Sequence, residues 1–574
     1  MSASDPWRRR HLVTVVALVL GFCAVLGRLF TLQVLQAADL TERADRQHER
    51  TVTVEGVRGA IYDREGRVLA LNMDVPSVFG VPTALDNPIG TARDLARVLN
   101  VRTDELERKL KQDRSFVWLA RKLDPDQGRT VESLSLKGIG TVLEGRRFYP
   151  KGPLLSHVLG FTGVDGQGLE GLERRYEPVL RGGTHRVVLQ RDALGHTVFP
   201  KDFNEQGPSP GHSLRLTIDE VVQYLAEKEL EEGVLAAKAK GGMLVAMDPK
   251  TGAILAMALY PKFDPNAVRG LTPDRWRNRI LTDAYEPGST LKVITAAAAL
   301  DAKVMTPGTL IFGEHGEYAV AGRTIHDHEK QGWMTFAQMV QKSSNVGAAK
   351  AGIALGEERL YRYVKAFGFG ERTDIDLPGE AAGLVREPRE WGKQSLTSIA
   401  FGQEIGVTPL QLTAAVSAIA NGGWLMRPYV VAEVRDGHGE PIVQAGPLVR
   451  KRAVSADTAQ AMTAILEGVV TNGTGGKAAV PGVRVAGKTG TAQKIDPQTG
   501  RYSPTQFVAS FVGFAPADDP RLTMIVVIDE PRTEQWGGAV AAPVFRRVAE
   551  QALPHLGVTP QAPLKVAQGG GAVS

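Results

Sequence analysis

The stretch LVTVVALVLGFCAVLG, Leu12 to Gly27, holds no charged side chain, and it constrains the chain more than any other segment. A run this apolar must satisfy its backbone polar groups internally when it meets lipid, so it folds as a helix. At 1.5 Å per residue it spans roughly 24 Å, and FTLQVL beyond Arg28 extends it across a bilayer. Trp7-Arg8-Arg9-Arg10 stands before the run. Such a cationic cluster stays on the cytoplasmic side, which puts everything after about residue 36 outside. A cleaved signal peptide is the rival, but Leu35-Gln36-Ala37-Ala38 lacks small residues at both positions of an A-x-A site. A lipid anchor on Cys23 meets bulky Phe22 where a small residue is needed. The expectation is one uncleaved span with the N-terminus inside.

The remainder reads as folded protein. Of 574 residues 43% are apolar and 23% charged, which fits neither a disordered nor a polytopic membrane chain. The 68 Lys and Arg against 63 Asp and Glu leave a net charge of +5, with no basic run in the body, so nucleic acid is not an expected partner. Cys23 is the single cysteine, which excludes a disulfide framework, a zinc ribbon and a CxxC redox centre.

No repeat is apparent, and unlike blocks follow one another. Residues 1–11 are the cytoplasmic N-terminus and 12–35 the membrane helix; 36–215 form a mixed module of short strands, helices and many glycines. Residues 216–555 hold a sharper pattern. DEVVQYLAEKELEEGVLAAKAK has helical spacing, and GGMLVAMD, PKTG and AILAMALYP read as strand, turn and strand. Helices follow, one opened by Thr408-Pro409 and ended by Asn421-Gly422. VRVAGK, QFVASFVGFAP and RLTMIVVIDE are then strands, and VFRRVAEQAL closes as a helix. Strands at both ends of a helical block imply an α+β fold, an antiparallel sheet closed by both chain ends with helices packed on it. The tail, 556–574, is expected to be disordered.

Within this domain Glu286-Pro287-Gly288-Ser289-Thr290-Leu291-Lys292 runs into the helix pattern VITAAAAL. Ser289 thus stands at a helix N-terminus, with Lys292 one turn on and on the same face. A hydroxyl becomes a nucleophile when a base takes its proton, and lysine is such a base when burial or a nearby cation lowers its pKa. Backbone N–H groups at a helix start also stabilise an oxyanion. Ser343-Ser344-Asn345 lies downstream between helical stretches, where the plainer reading is a helix cap. Lys488-Thr489-Gly490-Thr491 follows the strand VRVAG, with Gly490 expected to let a ligand approach the strand edge. Lys250-Thr251-Gly252 has the same letters but sits after Asp248-Pro249 between two strands, which is turn chemistry. His326-Asp327-His328-Glu329 is the best metal candidate, yet no further histidine cluster completes it, and no metal site is assigned. No Walker loop or dinucleotide fingerprint appears.

S-x-x-K, S-x-N and K-T-G in this order resemble the motif set of the penicillin-binding proteins and serine β-lactamases, with Ser344 where the set has Asp. RGAIYDR from Arg58, GRVLA, RFYPKG, HVLGFTG, GLEGLERRYEPVLRG and LTID are similar to the N-terminal module of class B penicillin-binding proteins. RFYPKGPLLSHVLGFTGVDGQGLEG looks most like the division-specific, FtsI-type transpeptidases. The resemblance implies a serine β-lactamase-like penicillin-binding domain on a non-catalytic, dimerisation-like pedestal, and a peptidoglycan D,D-transpeptidase that attacks the D-Ala-D-Ala end of stem peptides. It implies that Ser289 is acylated, that Lys292 is its base, that Ser343 relays a proton to the leaving D-Ala, and that Asn345 binds the donor amide. Lys488 would support that relay, Thr489 and Thr491 with Gly490 would bind the substrate end, and the N–H groups of Ser289 and Thr491 would form the oxyanion hole. It implies no cofactor.

The same resemblance implies lipid II-derived glycan strands as substrate, β-lactams as covalent inhibitors, and a membrane glycosyltransferase (FtsW-like) with other division proteins as partners at the bacterial inner membrane. No E-D-x-x-F-like motif of a fused glycosyltransferase follows the span. Two alternatives remain open from sequence: a D,D-carboxypeptidase or β-lactamase that passes the acyl group to water, and a non-catalytic division scaffold or sensor. The anchor and the long module speak against the secreted hydrolase, and the retained motif residues against the scaffold.

Overall fold

The structure, a computed structural model, describes residues 6–40, 49–114, 116–191, 197–198, 209–496 and 498–560. Most of the expected tail, 561–574, and the first five residues lie outside them. Helix α1 is Pro6–Phe30, continued by a π-helical turn, Thr31–Leu35. It takes in the arginine cluster as well as the apolar run. Among the described residues Trp7–Leu35 is the one helix long and apolar enough to cross a membrane, and none of it is buried. Strands Glu49–Glu55 and Thr184–Arg191 pair antiparallel, with Thr197–Val198 on the far side, and belong with α1 to one compact unit.

The second unit, residues 58–181 and 211–574, carries two large sheets. The first begins with β1 (Ile61–Tyr62), β2 (Val68–Gly80), β3 (Val117–Ala120), β4 (Ile139–Phe148) and β5 (Ser213–Leu216). The expected module boundary at 215/216 falls inside β5, which pairs parallel with β1. Helix α2 (Glu220–Ala236) leads to the hairpin β6 (Gly241–Met247) and β7 (Ile254–Tyr260). Then come α3 (Lys292–Asp301), β8 (Arg323–His326), α4 (Phe336–Gln341), α5 (Asn345–Leu355) and α6 (Pro409–Ala420). The hairpin β9 (Val431–Arg435) and β10 (Pro441–Gln444) returns to the first sheet, giving the path β10-β9-β5-β1-β2-β3 with β4 on β2. After α7 (Ala456–Asn472), strands β11 (Ala486–Ile495), β12 (Tyr502–Ala515) and β13 (Leu522–Asp529) complete the second sheet, and α8 (Ala542–His555) closes the chain.

That second sheet runs β7-β6-β13-β12-β11, antiparallel throughout, so strands from both ends of the domain meet at β6 and β13. Its central strands β6 and β13, and β7 beside them, read as near-continuous apolar runs because both faces are covered. Val245, Ile525 and Val527 join one core with α3 and α6, while Leu244, Val526 and Ile528 join another with α2 and α8. The two-residue period of a strand sends alternate side chains to opposite faces. Thr408 caps α6 as the Thr-Pro signal predicts, with Gln411 closing a capping box.

The N-terminal motifs converge in one buried knot. Glu173 is fully buried and accepts hydrogen bonds from Arg58 Nε (2.6 Å), Arg147 Nε (2.6 Å) and the Tyr149 hydroxyl (3.3 Å). Arg58 also donates to Glu177 Oε2 (2.6 Å). RGAIYDR, RFYPKG and GLERRYEP thus meet at a single carboxylate. Removing one partner would leave an uncompensated buried charge, a loss of several kcal/mol in such networks.

Candidate active site

Ser289 lies on a 3-10 turn, Gly288–Leu291, that winds directly into α3 at Lys292. Gly288 takes φ 53°, a left-handed conformation, and a side chain there would stand 2.8 Å from the Thr491 carbonyl oxygen. The glycine therefore lets the Ser289 turn close against β11. Ser289 itself is half-buried, while Thr290 and Lys292 beside it are fully buried.

The hydrogen bonds of Lys292 cross to the turn between α4 and α5. Its Nζ donates to the Ser343 carbonyl (2.6 Å), to Asn345 Oδ1 (2.7 Å) and to Ser343 Oγ (3.3 Å). Lys488 approaches the same hydroxyl from β11: its Nζ donates to Ser343 Oγ (2.9 Å) and to the Thr489 carbonyl (3.0 Å). Both lysines have 0% exposure, which makes the ammonium form expensive. Burial pushes Lys292 down to about 7, against a weaker opposing pull from Asp327. Burial, with the repulsion of Lys292, holds Lys488 well below the usual lysine range. Ser343 has φ 60°, a left-handed backbone that a non-glycine residue adopts at some cost and that recurs at functional sites.

Ser344 is the N-cap of α5, accepting from Gly347 N at 2.9 Å. What holds the turn is Asp327, just past β8. Its carboxylate accepts from Ser344 Oγ (2.5 Å), from Asn345 N, and from Val346 N (3.0 Å), while Asn345 Nδ2 donates to the His326 carbonyl (2.9 Å). The segment singled out in sequence for its metal-like letters thus supplies an anchor for the S-x-N turn. Among the described residues no group of three or more His, Cys, Asp or Glu is placed to hold a metal ion.

Lys488-Thr489-Gly490-Thr491 lies within β11, which continues to Ile495, rather than after the end of a strand. The β11 strand forms the sheet's edge and pairs on its other side with β12. Thr489 Oγ1 lies 2.7 Å from Thr474 Oγ1, and Gly537 N donates to Thr491 Oγ1 (3.2 Å). At Gly490 packing gives a reason for a glycine besides the expected one. A Cβ there would stand 2.5 Å from Ser510 Oγ on the neighbouring strand and 2.8 Å from Thr290 Cγ2, so the missing side chain makes room for β12 and for the Ser289 turn. Lys250-Thr251-Gly252 lies in the β6–β7 turn, where Lys250 pairs with Asp519 on the surface.

Sequence reasoning did not single out Asp327, Thr474 and Gly537 as parts of the site, nor the ring of Trp536, which meets that of His328 edge-on at 4.5 Å. A cleft of about 780 Å3, of which Ser289 is not a lining residue, is walled by Tyr285, Glu286, Glu404, Ala492 and Tyr502. Glu286 Oε1 accepts from Glu404 N (2.9 Å) and from the Tyr502 hydroxyl (3.1 Å), and burial raises its pKa. None of these carries a local sequence signal, because their partners come from distant segments.

Residues 242–550 match the penicillin binding protein transpeptidase domain family, and 53–216 the penicillin-binding protein dimerisation domain family. Stage V sporulation protein D of Bacillus subtilis is 38% identical over 562 residues, 96% of this chain and 87% of that protein. Peptidoglycan D,D-transpeptidase FtsI of Escherichia coli is 34% identical over 565 residues, 97% of this chain and 93% of that protein. Penicillin binding protein 3 of Mycobacterium tuberculosis, solved with aztreonam, superposes with a TM-score of 0.70 at 28% identity, covering 89% of this chain and 99% of that one. A fold with both modules, a serine–lysine turn facing a K-T-G strand and relatives along nearly the whole chain agree: this chain belongs to the class B penicillin-binding proteins, the peptidoglycan D,D-transpeptidases, in the group that includes FtsI.

Proposed function

We propose that the chain cross-links stem peptides in septal wall synthesis through an acyl-enzyme on Ser289, and that β-lactams acylate the same atom. The observation that carries this reading is the convergence of two fully buried lysines on Ser343, next to the nucleophile's helix. As an ammonium, Lys292 Nζ has three hydrogens for its three acceptors. As an amine it keeps two N–H groups for the short contacts, the Ser343 carbonyl and Asn345 Oδ1, and the third position, which faces Ser343 Oγ, becomes the lone pair of a base one turn from Ser289.

Ser289 Oγ then bonds to the carbonyl carbon of the penultimate D-Ala. The N–H groups of Ser289 and Thr491 take the oxyanion, and the C–N bond to the last D-Ala breaks. Ser343, between Lys292 and Lys488, carries the proton to the departing nitrogen. An amine of a neighbouring strand attacks the ester, Ser289 Oγ leaves, and its proton returns through the same groups. Asn345 holds the donor amide, and Thr489, Gly490 and Thr491 line the place of its terminal carboxylate.

Residues 12–35 would anchor the chain in the bacterial inner membrane with residues 1–11 in the cytoplasm, in line with the arginine cluster before the span. Residues 36–215 would serve as a pedestal carrying the catalytic domain, 216–555, and an FtsW-like glycosyltransferase would supply the glycan strands. The test is product analysis with the full chain, a D-Ala-D-Ala stem-peptide donor and an amine acceptor. A cross-linked dimer with release of D-Ala is the expected result; donor shortened by one D-Ala with no dimer would replace the transpeptidase with a carboxypeptidase.

A further inference from the structure

The strand β10 is the outermost strand of the seven-stranded sheet, and all four of its residues are exposed. Ile442 and Val443, on opposite faces, are 52% and 56% exposed. Soluble proteins cover such an edge or blunt it with charge, because its free N–H and C=O groups pair with any extended chain that reaches them. Here the edge, Pro441-Ile442-Val443-Gln444, is short and starts with a proline, but it carries no charge and is apolar at its two central residues.

Beside the hairpin lies a cavity of about 340 Å3 whose wall includes Tyr176, Val443, Ala445 and two arginines, Arg175 and Arg427. Its acids are committed elsewhere. Asp376 accepts from Val430 N (2.7 Å), Val431 N (2.8 Å) and the Tyr176 hydroxyl (3.1 Å). Glu433 pairs with Arg435 and Arg215, and Asp374 faces Arg450 at 3.7 Å. No carboxylate among the described residues pairs with Arg175 or Arg427, and Arg427 Nε is buried without a hydrogen-bond partner. An N–H shielded from water and left without an acceptor is costly, so the cavity wall has a place for one further hydrogen-bond acceptor beside Arg427.

We infer that the β10 edge and the Arg175–Arg427 cavity form a docking surface for an extended, acidic segment of a partner protein. Its backbone pairs with β10 as an added strand, and one of its carboxylates enters the cavity to meet the two guanidinium groups. The two halves support each other: the edge supplies affinity without sequence preference, and the arginines supply the preference for acid.

The test uses the full chain in detergent with two fluorescent peptides, alternating Glu-Val and alternating Lys-Val, six residues each, read by anisotropy. The acidic peptide should bind and the basic one should not. Arg427→Glu should weaken binding by about tenfold or more. Arg175→Glu, on an exposed residue, gives the same reading should Arg427→Glu fail to fold, and Val443→Asp should also weaken binding. Penicillin acylation, unchanged in these variants, reports that the fold is intact. No binding by the unmodified chain, equal binding of both peptides, or unchanged affinity in the folded arginine variants would overturn the proposal. So would a dimer of this chain, dispersed by Val443→Asp, that already occupies the edge.

Discussion

The hydroxyl of Ser343 stands between two buried amines, 3.3 Å from Lys292 Nζ and 2.9 Å from Lys488 Nζ. Among the described residues it is the one side chain that hydrogen-bonds both lysines, the position that a proton relay between them requires. Ser343→Ala should lower the rate of acylation by benzylpenicillin by roughly 10² to 10⁴, the usual worth of a positioned proton-transfer group. Stopped-flow acylation kinetics on a variant with unchanged melting temperature would check this; a loss below about threefold would remove Ser343 from the relay.

Acylation should rise with pH through about 7, where burial sets Lys292. The sign follows from the base being the neutral amine, whose fraction grows as pH increases. The same depression favours the unfolded chain's protonated lysine at neutral pH, so stability also rises with pH between about 7 and the ordinary lysine range. A rate profile from pH 5.5 to 9, in a range where the fold is retained, tests the first statement. A flat or falling profile would contradict it.

Asp327 touches no reacting atom but ties down the turn that carries Ser343 and Asn345. Asp327→Ala should destabilise the protein by about 1–2 kcal/mol, as for a lost helix cap, and slow acylation by more than tenfold. Asp327→Asn keeps an acceptor for the amides and should recover part of both. A purely structural residue would lower the melting temperature and leave the acylation rate of the folded fraction untouched.

Gly490→Ala should destabilise by about 1–3 kcal/mol, because the new methyl group meets Ser510 Oγ and Thr290 Cγ2. Ser510→Ala in the same chain removes one of the two clashes and should restore part of the loss. Thermal unfolding of the two variants decides; additive losses would place the strain elsewhere.

Lys250→Ala should leave acylation within twofold of the unmodified chain, whereas Lys488→Ala should nearly abolish it. The two K-T-G copies differ in burial, Lys488 wholly enclosed and Lys250 on a surface turn. Parallel acylation assays with both folded variants make the comparison.

Much of the catalytic frame was legible because it is local. Ser289 and Lys292 lie one turn apart, Thr408-Pro409 is a start signal, and the runs around Val245 and Ile525 are apolar because both faces of their sheet are covered. What escaped was non-local. Asp327 reaches Ser344 across 17 residues and Gly537 reaches Thr491 across 46, and neither pairing leaves a periodicity. The strand containing Lys488 runs on to Ile495 because β12 pairs with it along its length, which the polar letters KTGTAQK conceal. Gly490 invited a ligand-based reason, and its packing against Ser510 and Thr290 is a second one that the letters do not show.

The central claim is that Ser289 is the atom acylated, and intact mass spectrometry of the full chain during incubation with benzylpenicillin tests it most directly. The account predicts a stable gain of one penicillin in the unmodified chain and none in Ser289→Ala. A penicillin adduct that persists in folded Ser289→Ala, or no adduct in the unmodified chain, would contradict it.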